Sequence, residues 1–115
     1  MSHFNFLLAC QNRDFDALEE MSSERMVFRL VRQDSTEQTG SLKEMKEVFA
    51  NAFQDLSYWD FEVVHKVQRN DHNIVIIDSR RENRVDGTVS HSLWILTFQM
   101  HDGKEEIQKV HIEWL

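Results

Sequence analysis

The feature that most constrains the fold is a change in hydrophobic periodicity near residue 57. Before it, most apolar side chains recur every three or four residues, the spacing of a helix with one buried face. Beyond it the sequence alternates, as in YWDFEVVHKVQ (58–68), where every second side chain shares a face. A period of two is typical of strands. The chain therefore combines N-terminal helices with a C-terminal sheet.

Turn residues divide the C-terminal half into four long strands. Asp86-Gly87 and Asp102-Gly103 are hairpin signals, because both residue types tolerate the positive φ that tight hairpin turns require. A polar segment, RNDHN, marks a third turn. Consecutive strands joined by short turns form an antiparallel meander, and strands of this length predict a strongly twisted, curved sheet. The predicted strands cover 58–68, 74–84, 89–100 and 106–115.

Three helices and one short strand are predicted before the meander. Phe4, Leu7 and Leu8 share one helical face, and Asp14 can cap a second short helix. The segment 26–33 is β-rich, and the polar segment 34–40 that follows reads as a loop. SLKE (41–44) has the pattern of a capping box and opens an amphipathic helix. Its apolar stripe comprises Leu42, Met45, Val48, Phe49, Ala52 and Phe53.

This order of elements indicates an α+β fold. We expect a single domain covering residues 1–115, in which three N-terminal helices pack on a strongly curved antiparallel meander sheet. Such a curved sheet with helices on its concave side encloses a cone-shaped, barrel-like space.

Composition excludes several classes of protein. Acidic residues outnumber Lys and Arg by 20 to 13, which argues against nucleic acid and anionic membranes as partners. The single cysteine, Cys10, cannot form an internal disulfide and lies in the apolar run FNFLLAC, so it reads as a core residue of a cytoplasmic protein. No nucleotide-binding glycine loop, serine-hydrolase motif or cysteine pair is present, and we expect no cofactor.

Three segments resemble the nuclear transport factor 2-like superfamily, which includes SnoaL-like cyclases, ketosteroid isomerases and the association domain of calmodulin-dependent kinase. LLACQNRDFDALEEM resembles its opening helix, corner and second helix, and GSLKEMKEVFANAF resembles its third helix. LWILTFQMHDGKEEIQKVHIEWL resembles its closing hairpin. The resemblance implies a cone fold and a dimer formed through the outer sheet face. The isomerase and cyclase mechanisms do not carry over, because Tyr58 and Glu113 are expected to point away from the pocket.

The sequence supports that dimer independently. The strand centres around Leu93 and Ile95 are apolar on both faces, whereas a sheet covered by helices on one side should alternate. We therefore expect a homodimer in which a second copy covers the outer face.

A small-molecule pocket inside the cone is the predicted site. His65 is the one polar residue on the face of Trp59, Phe61, Val63 and Val67, which makes it the candidate acid–base group or, alternatively, a core histidine satisfied by a neighbour. Ser92 beside Trp94 would form a pocket wall with one polar group. The same two residues are equally compatible with an ordinary hydrophobic core. The predicted lining residues are Trp59, His65, Ser92, Trp94, Trp114 and Arg29.

Two further features have competing interpretations. Arg29 could hold an acidic ligand, but a surface or interface role is the commoner one for arginine. His111 and Glu113 lie on one strand face and could bind metal, yet they fall short of the three protein ligands usual for catalytic zinc, so we predict no metal.

Three functions remain open. The preferred one is a small-molecule-binding domain with an apolar pocket, whose ligand is apolar or acidic. The alternatives are an isomerase, dehydratase or cyclase that uses His65, and an association module that acts by dimerising.

Overall fold

A computed structural model describes residues 2–54 and 56–115 of the chain, with the side chains of residues 2, 53, 56 and 57 left aside. The predicted contribution of Phe53 to the helical stripe concerns one of these side chains and so lies outside what the structure describes. The elements are α1 Ser2–Asn12, α2 Phe15–Glu20, β1 Ser22–Val31, β2 Glu37–Gly40, α3 Leu42–Gln54, β3 Leu56–Gln68, β4 His72–Asn83, β5 Val89–His101 and β6 Lys104–Trp114.

The strands form one six-stranded sheet in the order β2-β1-β6-β5-β4-β3. The α+β prediction and the antiparallel β3–β6 meander are confirmed. Three details of the prediction are wrong. The sheet is mixed, because β1 runs parallel to β6, and it stays open instead of closing into a barrel. The segment read as a loop contains β2, whose polar side chains suit an edge strand paired only with β1.

The helix start at Ser41 matches half of the predicted capping box: the Glu44 side chain satisfies the Ser41 amide, whereas the Ser41 hydroxyl donates to the Glu44 carboxylate. Glu44 accepts hydrogen bonds from the Ser41 backbone N–H at 2.7 Å and from its hydroxyl at 2.6 Å. These bonds hold the pKa of Glu44 below its usual range, because they stabilise the charged carboxylate. Asp14 likewise accepts from the Ala17 N–H at 3.1 Å and starts α2. The described helices are short, 13 residues at most, and none is long and apolar enough to cross a bilayer.

The two faces of the sheet differ in cover. The inner face carries the buried side chains and packs against the helices, whereas the outer face has no covering element among the described residues. Rows of paired residues cross the strands, because side chains opposite each other on neighbouring strands share a face. One inner row contains Val63, Ile77, Trp94, Ile112 and Leu30.

An aromatic cluster fills the centre of the space between sheet and helices. Phe49 of α3 stacks on Trp94 with ring centroids 5.6 Å apart and meets Trp59 edge to face at 5.7 Å. Phe61 and Phe6 contact Trp94 at 5.2 and 6.1 Å. Rings in contact at these distances attract one another beyond their burial from water, so they form a packed core.

The strand pairing contains four register shifts: one in β1 between Ser22 and Val27, two in β3, and one between β5 and β6 at Thr97 and Phe98. Two of them set which side chains of β3 and β6 face inward. In β3, Val63 pairs with Ile77 but His65 pairs with Ile76, so Val64 is an extra residue. In β6, Gln108 is extra, because Lys109 pairs with Thr97 and Ile107 with Phe98. Each bulge shifts the residues on one side of it to the opposite face relative to a regular strand.

Candidate functional site

The structure contradicts the placement of His65 in the pocket. Opposite His65 lies Ile76, an outer-face residue between the buried Val75 and Ile77, so the imidazole points outward and is exposed. The cause is the bulge at Val64, which reverses the alternation that would have kept His65 beside Val63. A pocket acid–base role for this histidine is therefore excluded by its position.

Trp59, Trp94 and Ser92 face inward, but they form core and do not line an open pocket. Trp94 is 1% exposed and Ser92 is 3% exposed. The Ser92 hydroxyl accepts a hydrogen bond from the Trp94 indole N–H at 2.8 Å. Ser79, which the sequence reasoning missed, accepts from the Trp59 indole N–H at 2.7 Å. Two buried serines thus satisfy two buried indoles, and the predicted polar spot is occupied by the protein itself.

Arg29 lies on the outer face, beside His111 of β6 and not in the pocket. It forms an ion pair with Glu37 of β2, and its guanidinium lies 3.4 Å from the His111 ring nitrogen Nδ1. The other ring nitrogen of His111 is 3.8 Å from Glu113. Arg29, His111, Glu113 and Glu37 thus form one polar cluster on the outer face. The outward direction of His111 and Glu113 follows from strand alternation, because Val110 and Ile112 between them face inward. Among the described residues no group of three or more potential ligands could hold a metal ion.

A cavity of about 480 Å³ opens at one end of the inner face, where the aromatic cluster stops. It lies between the second half of α3 and the ends of β1, β4, β5 and β6. We call it the mouth cavity. Its lining consists of Leu30, Arg32, Gln33, Val48, Asn51, Ala52, Arg81, Ser90 and Trp114. Of the predicted ligand-binding residues, only Trp114 lies here.

Arg81 is the principal polar group of the mouth cavity. It faces inward between Trp59 on β3 and Ser90 on β5, and its guanidinium carbon lies 4.1 Å from the centre of the Trp114 ring. Burial lowers the pKa of Arg81, because removal from water disfavours its charged form. No carboxylate of the described residues lies within 4 Å of it.

The sequence did contain a signal for Arg81. Alternation from the buried Ile77 through Ser79 places residue 81 on the same face, and β4 has no bulge in that stretch. The neighbouring Asp78 and Glu82 mask this signal, because a run of mixed charge is typical of a solvated surface. What the sequence does not reveal is that Trp114, 33 positions later, packs over this guanidinium.

A second cavity of about 280 Å³ lies at the opposite end of the inner face. His3, Lys66, Asn73 and Glu105 are among its lining residues. Asn73 donates to Glu105 at 2.7 Å, while its own side-chain oxygen is buried without a partner among the described residues. Burial, and then the charge of Lys66, lower the pKa of His3. The lining of this second cavity carries both Lys66 and Glu105, so it selects for one charge class of ligand less clearly than the mouth cavity does.

Comparison with known proteins identifies relatives by structure alone. No family model matches the chain, and no curated protein matches its sequence. Among solved structures, a ketosteroid isomerase-like protein from Erwinia carotovora atroseptica SCRI1043 is similar, with a TM-score of 0.73 and 16% identity over 98% of this chain and 90% of that one. An NTF2-like protein from Cytophaga hutchinsonii ATCC 33406 has a TM-score of 0.76 and 12% identity, covering 98% and 92%.

A third similar structure is a putative calcium/calmodulin-dependent protein kinase type II association domain from Thiobacillus denitrificans ATCC 25259. It has a TM-score of 0.76 and 16% identity, covering 98% of this chain and 91% of that one. At these identities the similarity establishes the fold and leaves the activity open. It confirms the resemblance seen in the sequence: the chain has the cone fold of the nuclear transport factor 2-like superfamily.

Proposed function

We propose that this protein is a small-molecule-binding domain whose binding site is the mouth cavity. The observation that carries the proposal is the cavity itself, which lies where the packed aromatic core gives way to Trp114 and Arg81. Its volume of about 480 Å³ falls in the range of ligand sites. Its lining combines the apolar side chains of Leu30, Val48, Ala52 and Trp114 with five polar residues, among them Arg81, and polar groups in a ligand site fix the orientation of what binds.

The walls are supplied by rigid elements. Val48 and Ala52 are one turn apart on α3 and face the cavity, and Leu30 and Trp114 approach it from β1 and β6. Side chains held on a helix and a sheet keep a site preformed, so a ligand loses little free energy in ordering it. Catalysis is not part of the proposal, since His65 lies on the other face of the sheet.

A cavity-filling variant tests this proposal. Ala52→Phe places a ring in the mouth cavity, whereas Ala50→Phe, two residues earlier on an exposed side of α3, serves as the matched control. A library of small neutral and charged compounds would be screened by ligand-observed NMR. We expect compounds that bind the wild type and Ala50→Phe but not Ala52→Phe. A library without binders, or binders unaffected by Ala52→Phe, would overturn the proposal.

We also propose that a second copy of this chain covers the outer face of the sheet. At its centre Ile76 pairs with Ile95, and Ile74 and Leu93 lie beside them, all half-buried in the single chain. An apolar centre on a face without cover favours association, because burial removes that surface from water.

The pattern of polar side chains argues for a second copy as the occupant. One outer row carries the acids Glu62, Asp78 and Glu113, and the next carries the N–H donors His65, His111 and Arg29. A twofold axis between the two rows brings the carboxylates of one copy against the hydrogen-bond donors of the other. Self-complementary surfaces of this kind suit isologous dimers.

Sedimentation velocity at micromolar concentration tests the dimer. We expect a dimer for the wild type and a monomer for Ile95→Lys, which buries a charge at the centre of the interface. Ala50→Lys adds the same charge on the exposed side of α3 and should leave the dimer intact. A monomeric wild type, or a dimeric Ile95→Lys variant, would contradict the proposal.

Cytoplasmic localisation is part of the same proposal. Cys10 is fully buried, and burial raises the pKa of its thiol, so it acts as a core residue that requires no partner cysteine. A chain that folds around a reduced, buried thiol suits a reducing compartment.

A further inference from the structure

We propose that the ligand of the mouth cavity is a small monocarboxylic acid with an apolar body, anchored by Arg81. This inference rests on the proposed binding function and specifies its chemistry. Its starting point is the imbalance of charge at the site. The chain carries a net charge of −7, yet the lining of the mouth cavity contains Arg32 and Arg81 and no acidic side chain.

The donors of Arg81 are available to a ligand. Its guanidinium makes no hydrogen bond to a described residue and has no carboxylate of the described part of the chain within 4 Å. Trp114 lies over the guanidinium at 4.1 Å, an arrangement that holds the cation in place and leaves its N–H groups to bind in their own plane. A half-buried guanidinium of this kind matches a carboxylate with two parallel hydrogen bonds.

The remaining lining groups favour a monoanion over a dianion. Ser90 and Asn51 beside Arg81 are neutral and can add hydrogen bonds, but they add no charge. Arg32, the second cation of the lining, is exposed and donates to Gln38 at 2.7 Å. The single half-buried positive charge of Arg81 therefore balances a single negative charge on the ligand. Val48 and Ala52 offer an apolar wall for the rest of the ligand.

Matched pairs of acids and amides test the inference. The probes are benzoate with benzamide, phenylacetate with phenylacetamide, and 3-phenylpropanoate with 3-phenylpropanamide, together with phenyl phosphate. Each amide has nearly the shape of its acid but lacks the charge, so the difference in Kd isolates the contribution of the ion pair. Binding would be measured by the change in tryptophan fluorescence and by ligand-observed NMR.

Two variants assign the effect to Arg81. Arg81→Met keeps a long apolar side chain next to Trp114 and removes the charge, and its melting curve checks the fold. Arg69→Met makes the same change in the exposed β3–β4 turn, far from the site, and serves as the control. We expect at least one acid to bind about tenfold to a hundredfold more tightly than its amide, with that preference lost in Arg81→Met and kept in Arg69→Met.

The outcomes separate this inference from the proposed function. Amides that bind as tightly as their acids, or an acid preference that survives Arg81→Met, would overturn the carboxylate assignment and leave the mouth cavity as a binding site for neutral compounds. Tighter binding of phenyl phosphate than of every carboxylate would likewise overturn it. Failure of every acid to bind would also refute it, whereas the binding function itself fails if the library screen finds no binder or finds binders that Ala52→Phe leaves unaffected.

Discussion

Replacing Ser92 with alanine should destabilise the protein even though it removes only one oxygen atom. That oxygen is the acceptor for the indole N–H of Trp94, at 2.8 Å, and both residues are almost completely buried. A buried donor that loses its partner costs about 1–3 kcal/mol in the free energy of unfolding. For a domain of this size, about 4 °C of melting temperature corresponds to 1 kcal/mol, so we expect a loss of roughly 4–12 °C.

A double-mutant cycle provides the assay. Ser92→Ala, Trp94→Phe and the double variant would be unfolded in urea and followed by circular dichroism. Phenylalanine has no N–H to satisfy, so in the Trp94→Phe background the serine change should alter the unfolding free energy by less than about 0.5 kcal/mol. Ser90→Ala, two residues earlier on the same strand face, is the matched control because its hydroxyl makes no hydrogen bond to a described residue.

Two results would refute this reasoning. One is a Ser92→Ala variant as stable as the wild type or as Ser90→Ala. The other is a cost of Ser92→Ala that stays the same when Trp94 is phenylalanine, since the serine would then contribute through packing and not through the indole bond.

Three further predictions concern a turn, a helix start and the thiol. Gly103→Ala should lower the free energy of unfolding by about 1–2 kcal/mol, because Gly103 has φ of +76°, which L side chains rarely adopt; an unchanged urea midpoint would contradict this. Glu44→Gln should be less stable than the wild type at neutral pH. Because the folded pKa of Glu44 is lowered, its contribution is present above the usual value of 4.5 and lost as the pH falls through the folded pKa, so the two proteins should converge in acid; a gap that widens there would show the opposite sign. Cys10 should react with a thiol reagent only when the chain unfolds, because its side chain is fully buried; rapid labelling of the native protein would refute its core position.

Local patterns were sufficient for the helices, the first strand and the meander, but not for β2. The change of period near residue 57 separates the helices from the meander. Asp86-Gly87 lies just before β5 and Asp102-Gly103 just after it, and both glycines have positive φ. Ser41 and Glu44 form hydrogen bonds at the start of α3. Each of these features depends on residues within a few positions of one another, which is why the sequence reveals them.

The parallel pairing of β1 with β6 could not be predicted in this way. Its partners, such as Phe28 and Val110, are more than 80 positions apart, and no turn fixes their register. The polar segment that forms β2 looks like a loop because an edge strand needs no apolar face. Both assignments depend on which strands become neighbours in the folded sheet.

By itself, then, the sequence determined the α+β class and the meander of four long strands, and its resemblance to known proteins indicated the cone fold. Only the tertiary structure decided the site. A single extra residue, Val64, turned His65 to the outer face, because each bulge reverses the alternation that follows it. The packing of Phe49 against Trp59 and Trp94 filled the centre and left the cavity beside Arg81. Volumes and cross-strand contacts of this kind arise only when distant segments pack together, so no local pattern encodes them.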